Sequence, residues 1–347
     1  SNPMPADLIK KFLKGCEKVL VVEEGEPVME EAVKAFAQES GLTIPITGKG
    51  KTLTRLYEYN PAMVRKAMAE SFGFELEAKT PLDLSDVPEI PQRPPNLCAG
   101  CSHRATYYAV KTAVRESGVE TIYPTDIGCY TLGVLPPLSM ADYLICMGSS
   151  VSTACGFSKA TDKKVIAFIG DSTFFHSGLT GLVNAVFNNH NFTLVILDNG
   201  ITAMTGHQPS PGVDLANFKL DGYGHVDIEA VVKAIGVEHV TKIKPYKLKT
   251  SIAAVKEAIE YQGVSVIISE EMCTLYAKSL KQLKARAFTI TDKCTNHRDC
   301  INEIGCPAFY LDGERVKIDA NACVGSVSYT HLTLPTTCNL CSSRGSG

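Results

Sequence analysis

Two polar side chains follow two apolar segments of the chain, and their types and spacing suit a metal ion. Asp171 comes after the apolar run 164–169 and a glycine, and Asn199 comes soon after the run 193–197. Continuous apolar runs of this length are typical of strands buried in a parallel sheet. A right-handed crossover would bring both carboxyl ends to one edge of that sheet, so we expect Asp171 and Asn199 to lie close together. Their oxygens, with a nearby backbone carbonyl, suit Mg²⁺, whose remaining ligands are commonly phosphate oxygens and water.

The elements that position these side chains follow from the same pattern. Apolar residues at helical intervals predict a crossover helix over about 173–188, between the two strands. Two further strands, predicted at 121–123 and 143–146, would end at the same edge of the sheet. The spacing by itself also fits a buried βαβ unit that binds no metal.

A second candidate for ligand contact is the start of another predicted helix, which runs over about 151–159. It is preceded by Gly148, Ser149 and Ser150. Free backbone N–H groups, a glycine for close approach and serine hydroxyls suit a phosphate. Ordinary N-capping of the helix by serine is the alternative.

Composition excludes some functional classes. The chain has 347 residues, 45% of them hydrophobic, and its net charge of −3 gives no footprint for nucleic acid or a membrane surface. No apolar run approaches the length of a membrane span, and the first residues lack the core of a signal peptide. We therefore expect a cytoplasmic protein, whose thirteen cysteines serve as reduced thiols or metal ligands rather than as a disulfide framework.

The pair Cys98 and Cys101, with His103 beside it, admits several interpretations. The spacing suits zinc, redox chemistry or a tight loop. A zinc site needs two more ligands, and no second CxxC lies in this part of the sequence. A structural turn before a helix from about Arg104 is the plainest alternative. Four cysteines without a partner pattern are interpreted as small core residues, namely Cys16, Cys146, Cys155 and Cys273.

Five motifs together carry a resemblance to a known family. They are RPPNLCAGCSHR (93–104), DIGCYTLG (126–133), MGSS (147–150), GDSTFFHSG (170–178) and TAMTGHQPSPG (202–212). The GD after one strand and the N after the next resemble the thiamine-diphosphate signature. All five, in this order, resemble the α subunits of the indolepyruvate:ferredoxin oxidoreductases, a branch of the 2-oxoacid:ferredoxin oxidoreductase family. The resemblance extends more weakly from the N-terminal segment to about Cys323.

This resemblance implies a fold and a set of cofactor contacts. The fold is a doubly wound, mostly parallel α/β sheet of the thiamine-diphosphate-binding type. The implied cofactors are thiamine diphosphate, Mg²⁺ and, in the intact protein, 4Fe-4S clusters. Asp171, Asn199 and the carbonyl of Ile201 would hold the Mg²⁺. Further contacts to the cofactor are expected from Cys101, Cys129, Gly148, Ser149, Ser150, Gly170, Ser172 and Thr202.

The activity that the resemblance implies is oxidative decarboxylation of 2-oxo acids, above all indolepyruvate and other arylpyruvates. Electrons would pass through iron–sulfur clusters to ferredoxin, and coenzyme A would take the acyl group. A β subunit, ferredoxin, the 2-oxo acid and coenzyme A are the expected partners. His207, His103 and Cys129 are the candidate catalytic residues, whereas His176 is interpreted as orienting a loop.

The organisation of the chain suggests a piece of a longer protein. Residues 1–80 resemble part of a transketolase-C-like domain, the proline-rich stretch 81–95 is a predicted linker, and 96–288 form the thiamine-diphosphate domain. In the family, a domain that grips the aminopyrimidine ring and supplies an activating glutamate precedes this segment. Nothing here matches it, so the chain is expected to begin part-way through the protein.

Residues 289–325 resemble the start of a two-cluster ferredoxin domain. Four cysteines are its candidate iron–sulfur ligands, Cys294, Cys300, Cys306 and Cys323. His297 stands where the family pattern has its second cysteine, and the later cysteines of the pattern do not follow. Residues 326–347 instead resemble the translation of a sequencing adapter, and we interpret them as a non-biological tail.

Two alternatives to the full enzyme stay open. A thiamine-diphosphate-dependent decarboxylase or synthase without ferredoxin would share the GD and N signals, but it should lack the CAGCSHR loop and the cysteine-rich segment. The other alternative is that this chain binds the cofactor and catalyses nothing, because it lacks the pyrimidine domain and intact clusters.

Overall fold

A computed structural model describes residues 3–50, 52–76, 83, 85–89, 94–213, 218, 222–282, 287–292, 294–326 and 341–343. The chain divides into two units, Ser1–Pro91 and Gln92–Gly347. Most of the predicted linker 81–95 lies outside the described residues. The finer division of the second unit at residues 288 and 325 stays a prediction.

The first unit contains a parallel two-stranded sheet with a crossover helix. Val19 pairs with Ile46, and Leu20 pairs with Thr47, which confirms the predicted βαβ arrangement with shorter strands than expected. A small core surrounds Leu13, Val21 and Val33. The elements are α1 (Ala6–Leu13), β1 (Val19–Leu20), α2 (Val28–Glu39), β2 (Ile46–Thr47) and α3 (Pro61–Phe72).

The second unit is built on a five-stranded sheet in which every neighbouring pair is parallel. Its strands are β3 (Thr121–Ile122), β4 (Lys164–Gly170), β5 (Phe192–Asp198), β6 (His239–Ile243) and β7 (Val264–Glu270), in the spatial order β3-β4-β5-β7-β6. Its helices are α4 (Ser102–Ser117), α5 (Ser149–Ala160), α6 (Asp171–Thr173), α7 (Leu179–Phe187), α8 (Ile228–Ile235), α9 (Leu248–Glu260) and α10 (Thr274–Ser279).

Both faces of this sheet are buried. On β4, Val165, Ala167 and Ile169 belong to one apolar core, which also includes residues of α5, α7 and α8. Ile166 and Phe168 belong to a second core, on the side of α4 and α9. Because successive strand residues point to opposite faces, this partition shows helices packed on both sides. The predicted doubly wound parallel sheet is therefore confirmed.

Two predicted elements differ from the structure. The segment 143–146 is not a strand, since it contributes only an isolated bridge between Tyr143 and Pro124, and Ile145 is 61% exposed. It is therefore not one of the buried strands. The helix predicted over 173–188 is interrupted, because a π-helical turn at Phe174–Gly178 separates α6 from α7.

The remaining elements are short. They are β8 (Phe288–Ile290), α11 (Asp299–Asn302), β9 (Phe309–Asp312), β10 (Arg315–Ile318) and β11 (Cys341–Ser343). The strands β9 and β10 form an antiparallel hairpin, and β8 pairs antiparallel with β11. Most of the tail that we interpret as non-biological lies outside the described residues, and that hypothesis stays a prediction. No helix within the described ranges combines the length and apolar composition that a membrane crossing needs.

Candidate active site

A cleft with a cavity volume of about 90 Å³ lies at the carboxyl edge of the five-stranded sheet. Loops that follow β3, β4 and β5 supply most of its walls. The lining residues that the argument below uses are His103, Gly128, Cys129, Tyr130, Met147, Gly170, Asp171, Ser172, Asn199, Ile201 and Thr202. Several residues predicted for the site, among them Asp171, Asn199 and Ile201, line this cleft, and their binding role stays a prediction.

Asp171 is the residue of the cleft with the most unusual environment. It directly follows β4 and is 4% exposed, and its Oδ2 atom has no hydrogen-bond partner. Burial, with a smaller contribution from the negative charge of Asp198, raises the pKa of Asp171 to about 8. A buried carboxylate oxygen without a partner is costly for the fold, and a cation at this position would remove that cost.

Asn199 and Ile201 lie beside Asp171 in the wall of the cleft, as predicted. The side chain of Asn199 is held at both ends, since its Oδ1 accepts the Ile201 N–H at 3.2 Å and its Nδ2 lies 3.2 Å from Nε2 of His103. Burial lowers the pKa of His103 to about 4. His103 is therefore neutral at physiological pH, and its Nε2 accepts the Asn199 hydrogen bond.

Asp126 and Tyr130 were not assigned a function from the sequence, although both lie in one of the five motifs. The Tyr130 hydroxyl donates a hydrogen bond to Oδ1 of Asp126, and its ring packs against Gly128 and Gly170. A methyl group added at Gly170 would stand 2.7 Å from that ring. The signal that could have pointed to Tyr130 is this pair of glycines, since a close aromatic neighbour leaves no room for side chains there.

The start of α5 is used differently from the sequence prediction. The backbone N–H groups of Gly148 and Ser150 donate to Oδ2 of Asp126, at 3.0 and 3.4 Å, and the Ser150 hydroxyl donates to it at 2.7 Å. The Ser149 N–H donates to the Cys146 carbonyl. The three backbone N–H groups and the Ser150 hydroxyl are therefore occupied within the chain, and the Ser149 hydroxyl accepts the Cys146 N–H. A buried aspartate already supplies the negative charge that such a helix start favours. The alternative was that a serine caps this helix, but the N–H groups at its start donate instead to Asp126, which comes from another loop.

The cysteines near the cleft are protonated thiols rather than thiolates. Burial raises the pKa of Cys129, which lines the cleft, to about 11 and that of Cys101 to about 12. Cys101 packs on the second core and does not line the cleft, contrary to its expected place in the wall. Among the described residues, no three His, Cys, Asp or Glu side chains are grouped to hold a metal ion, which gives the zinc interpretation of Cys98 and Cys101 no support.

The other predicted residues divide into those on the cleft and those beside it. Ser172 and Thr202 line it. His207 does not, since its ring stacks 6.4 Å from that of Tyr276. Its predicted catalytic role therefore has no support from this arrangement. His176 is exposed, and its Nδ1 lies 2.9 Å from the hydroxyl of Ser177, which donates to the Met147 carbonyl, consistent with a loop-orienting role.

Three of the four candidate iron–sulfur cysteines lie in a small separate cluster, and Cys294 is not among its members. Cys306 is buried there, with Cys300 and Cys323 packed beside it. Burial raises the pKa of the Cys300 thiol to about 11. Arg104 is 1% exposed and joins this cluster to α4, since its guanidinium donates to the carbonyls of Ile304 and Gly305 at 2.7 and 2.9 Å.

Comparison with known proteins supports the expected family resemblance. Residues 126–269 match the family described as thiamine pyrophosphate enzyme, C-terminal TPP binding domain. The chain is 46% identical over 332 residues to the indolepyruvate oxidoreductase subunit IorA of Methanothermobacter thermautotrophicus, which covers 93% of this chain and 52% of that protein. Over 93% of its length the chain is therefore similar to IorA subunits. The family resemblance expected from the five motifs is thus confirmed.

Other known proteins are similar to this chain at lower identity. A 2-oxoglutarate synthase subunit, KorB of Archaeoglobus fulgidus, is 27% identical over 201 residues, covering 54% of this chain and 74% of that protein. A solved 2-oxoglutarate:ferredoxin oxidoreductase from Magnetococcus marinus superposes with a TM-score of 0.48 at 22% identity, covering 53% of this chain and 66% of that chain. The present chain spans about half the length of the IorA subunits that it matches.

Proposed function

We propose that this chain binds thiamine diphosphate with Mg²⁺ and supplies that half of the active site of a 2-oxoacid:ferredoxin oxidoreductase acting on arylpyruvates. The observation that carries the proposal is the partnerless Oδ2 of Asp171, buried in the wall of a cleft inside the matched thiamine-pyrophosphate domain. The name of the IorA relatives supports indolepyruvate as the substrate.

The residues at the cleft fit a magnesium-bound diphosphate. Asp171 offers an unused carboxylate oxygen, and the loop from Asn199 to Ile201 offers amide and carbonyl oxygens, a ligand set of the kind that Mg²⁺ takes. Hydroxyls of Ser172 and Thr202 lie on the same cleft and would donate to phosphate oxygens. When bound, thiamine diphosphate supplies the electron sink for decarboxylation of the 2-oxo acid.

His103 and Cys129 have restricted roles in this proposal. His103 is buried and neutral, and its ring position is set by Asn199, so it orients the wall and carries no charge. Cys129 presents a neutral thiol, because its pKa is about 11. Neither group is poised as a base at neutral pH, which leaves their predicted catalytic roles limited to contact with the substrate or cofactor.

The partners and the electron path belong to the whole protein. We propose a β subunit, ferredoxin and coenzyme A as partners, 4Fe-4S clusters at the C-terminal cysteines, and the cytoplasm as the location. The names of the IorA and KorB relatives, each a subunit of a larger enzyme, support an assembly of subunits.

Calorimetric titration of the chain with thiamine diphosphate in the presence of Mg²⁺ tests the proposal. The parent should bind, Asp171→Ala should lose binding by at least about a hundredfold, and Asp162→Ala should bind like the parent. Asp162 is a matched control, since it is exposed and precedes the opposite end of β4. If Asp171→Ala binds as well as the parent, the magnesium assignment is wrong.

Turnover is measured separately, by reduction of methyl viologen with indolepyruvate and coenzyme A. Binding without turnover would favour the second candidate function, a cofactor-binding piece that needs further protein for catalysis. The half-length match to the IorA subunits is the observation in favour of that candidate.

A further inference from the structure

Asp126 is an unusually well-connected buried carboxylate that does not line the cleft. It is fully buried, and both of its oxygens accept hydrogen bonds. One oxygen accepts from the Tyr130 hydroxyl, and the other accepts from the start of α5 through Gly148 and Ser150. A carboxylate that accepts this many bonds fixes each of its donors strongly, because bonds to a charged acceptor are stronger than neutral ones.

Tyr130 is the donor that reaches the cleft. Its ring lines the cleft, stands edge-on to His103 with centroids 6.1 Å apart, and leaves no space for a side chain at Gly128 or Gly170. Its carbonyl accepts the Tyr107 hydroxyl at 2.7 Å. Tyr130 therefore connects Asp126 to the cleft, and its ring packs against the glycine that directly precedes Asp171.

The phenol of Tyr130 is committed to Asp126. Burial and the neighbouring charge of Asp126 raise the pKa of Tyr130 well above its usual range. The hydroxyl therefore stays protonated and donates a hydrogen bond to Asp126. Tyr130 thus offers the cleft the face and edge of a ring rather than a polar group.

We infer that Asp126 is a positioning residue for the cofactor cleft: through the Tyr130 hydroxyl it fixes the ring that holds Gly170 and His103 in their binding positions. This inference rests on the proposed function, and it adds a residue that touches no ligand. Asp126 does not line the cleft, so its loss should act on cofactor binding only through the Tyr130 ring and the groups that this ring contacts.

The test is a double-mutant cycle on cofactor affinity. Tyr130→Phe keeps the ring and removes the hydroxyl, and Asp126→Asn keeps the shape and removes the charge. Each should weaken thiamine diphosphate binding with Mg²⁺ about tenfold, from the loss of one charge-assisted hydrogen bond. The double variant should bind no more weakly than the weaker of the two single variants, because the inference routes the effect of both on the cleft through the one contact between Asp126 and Tyr130. Tyr108 packs against the separate small cluster around Cys306, so Tyr108→Phe is the matched control and should bind like the parent.

A second readout needs no cofactor and therefore separates this inference from the proposed function. In the cofactor-free chain, the NMR signal of the His103 ring, assigned with His103→Gln, reports the edge-on ring of Tyr130. Tyr130→Phe and Asp126→Asn should both shift or broaden it, and Tyr108→Phe should not.

An unchanged His103 signal, or additive losses of affinity, would overturn the inference even where the parent binds the cofactor well. If Asp126→Asn does not fold, Tyr130→Phe still decides the result through its own affinity and its own His103 signal. If the parent chain binds no cofactor, the proposed function fails, and the His103 signal still tests whether Asp126 fixes the wall.

Discussion

Two buried aspartates stand at the same edge of the sheet and differ in what the fold leaves for a ligand. Asp126, in the loop after β3, has both oxygens bonded within the chain. Asp171, directly after β4, has an oxygen with no partner. Since both are almost inaccessible to solvent, exposure does not separate them. The two residues differ instead in the number of hydrogen-bond donors that face each carboxylate.

The comparison separates a carboxylate whose oxygens are both hydrogen-bonded within the chain from one that has an oxygen without a partner. Burial raises the pKa of both carboxyls, but donors from Tyr130, Ser150 and Gly148 oppose that shift at Asp126. At Asp171 the negative charge of Asp198 adds to the shift, and the groups that oppose it are backbone N–H groups, those of Ser172, Gly200 and Asp171 itself. Asp126 is therefore hydrogen-bonded within the chain, whereas the unpartnered Oδ2 of Asp171 is what supports the proposed cation site.

The largest expected effect is a difference in sign between two matched substitutions in the cofactor-free chain at pH 8. Asp126→Asn turns an amide NH₂ toward donors and should lower the free energy of unfolding by about 3 kcal/mol. Asp171→Asn removes a charge that burial disfavours and should leave that free energy unchanged or higher. Urea denaturation measures both. Equal losses in the two variants would show that Asp171 is as fully satisfied as Asp126.

The sequence was sufficient for the two central strands β4 and β5 and for the position of one of these aspartates, but it did not predict β6 and β7. Continuous apolar runs at β4 and β5 predicted buried parallel strands, and parallel topology alone then placed Asp171 and Asn199 at one edge. Asp126 was out of reach because its partners come from α5 and from a tyrosine four residues later. Such pairing depends on how loops fold back, which strand and helix periodicity does not encode.

The next expected effect concerns Gly170, the glycine that directly precedes Asp171. Gly170→Ala would place a methyl group 2.7 Å from the Tyr130 ring, so the ring that Asp126 fixes must move. We expect a loss of about 2 kcal/mol in unfolding free energy, typical of an overpacked core, together with weaker cofactor binding. Gly156→Ala on α5 is the control, since nothing lies within 4 Å of its added methyl group. Equal stability of the two variants would mean that the ring yields freely.

The start of α5 shows why a local motif can mislead. Gly148, Ser149 and Ser150 have the composition of a phosphate-binding helix start, and the structure fills that start with Asp126. The same limit applies to Arg104, whose partners at Ile304 and Gly305 lie some two hundred residues away. A one-dimensional pattern reports which groups are available, and the tertiary structure decides which of them stay free.

A smaller effect is the pH dependence that Asp171 gives to the cofactor-free chain. Its pKa is about 8 in the folded state against a usual value of 3.8, so the folded chain binds more protons between these limits. The contribution of Asp171 to stability should therefore fall as pH rises through this window, with a slope of at most about 1.4 kcal/mol per pH unit. The comparison is the unfolding free energy of the parent minus that of Asp171→Asn, measured from pH 4 to pH 9. A flat difference would contradict the buried, unpaired state of Asp171.

The smallest net effect on stability is expected over the pH range in which the titrations of His103 and Asp171 change the unfolding free energy in opposite directions. The pKa of His103 is about 4 in the folded chain against a usual 6.5, so the unfolded chain binds more protons over this range and stability should rise with pH. Between about pH 4 and 6.5 the two slopes have opposite signs and similar limits, and their sum should be close to zero. The fall due to Asp171 should then emerge only above about pH 6.5. His103→Gln should expose that fall from pH 4 upward, and an unchanged profile in this variant would mean that His103 is charged or solvated in the folded chain.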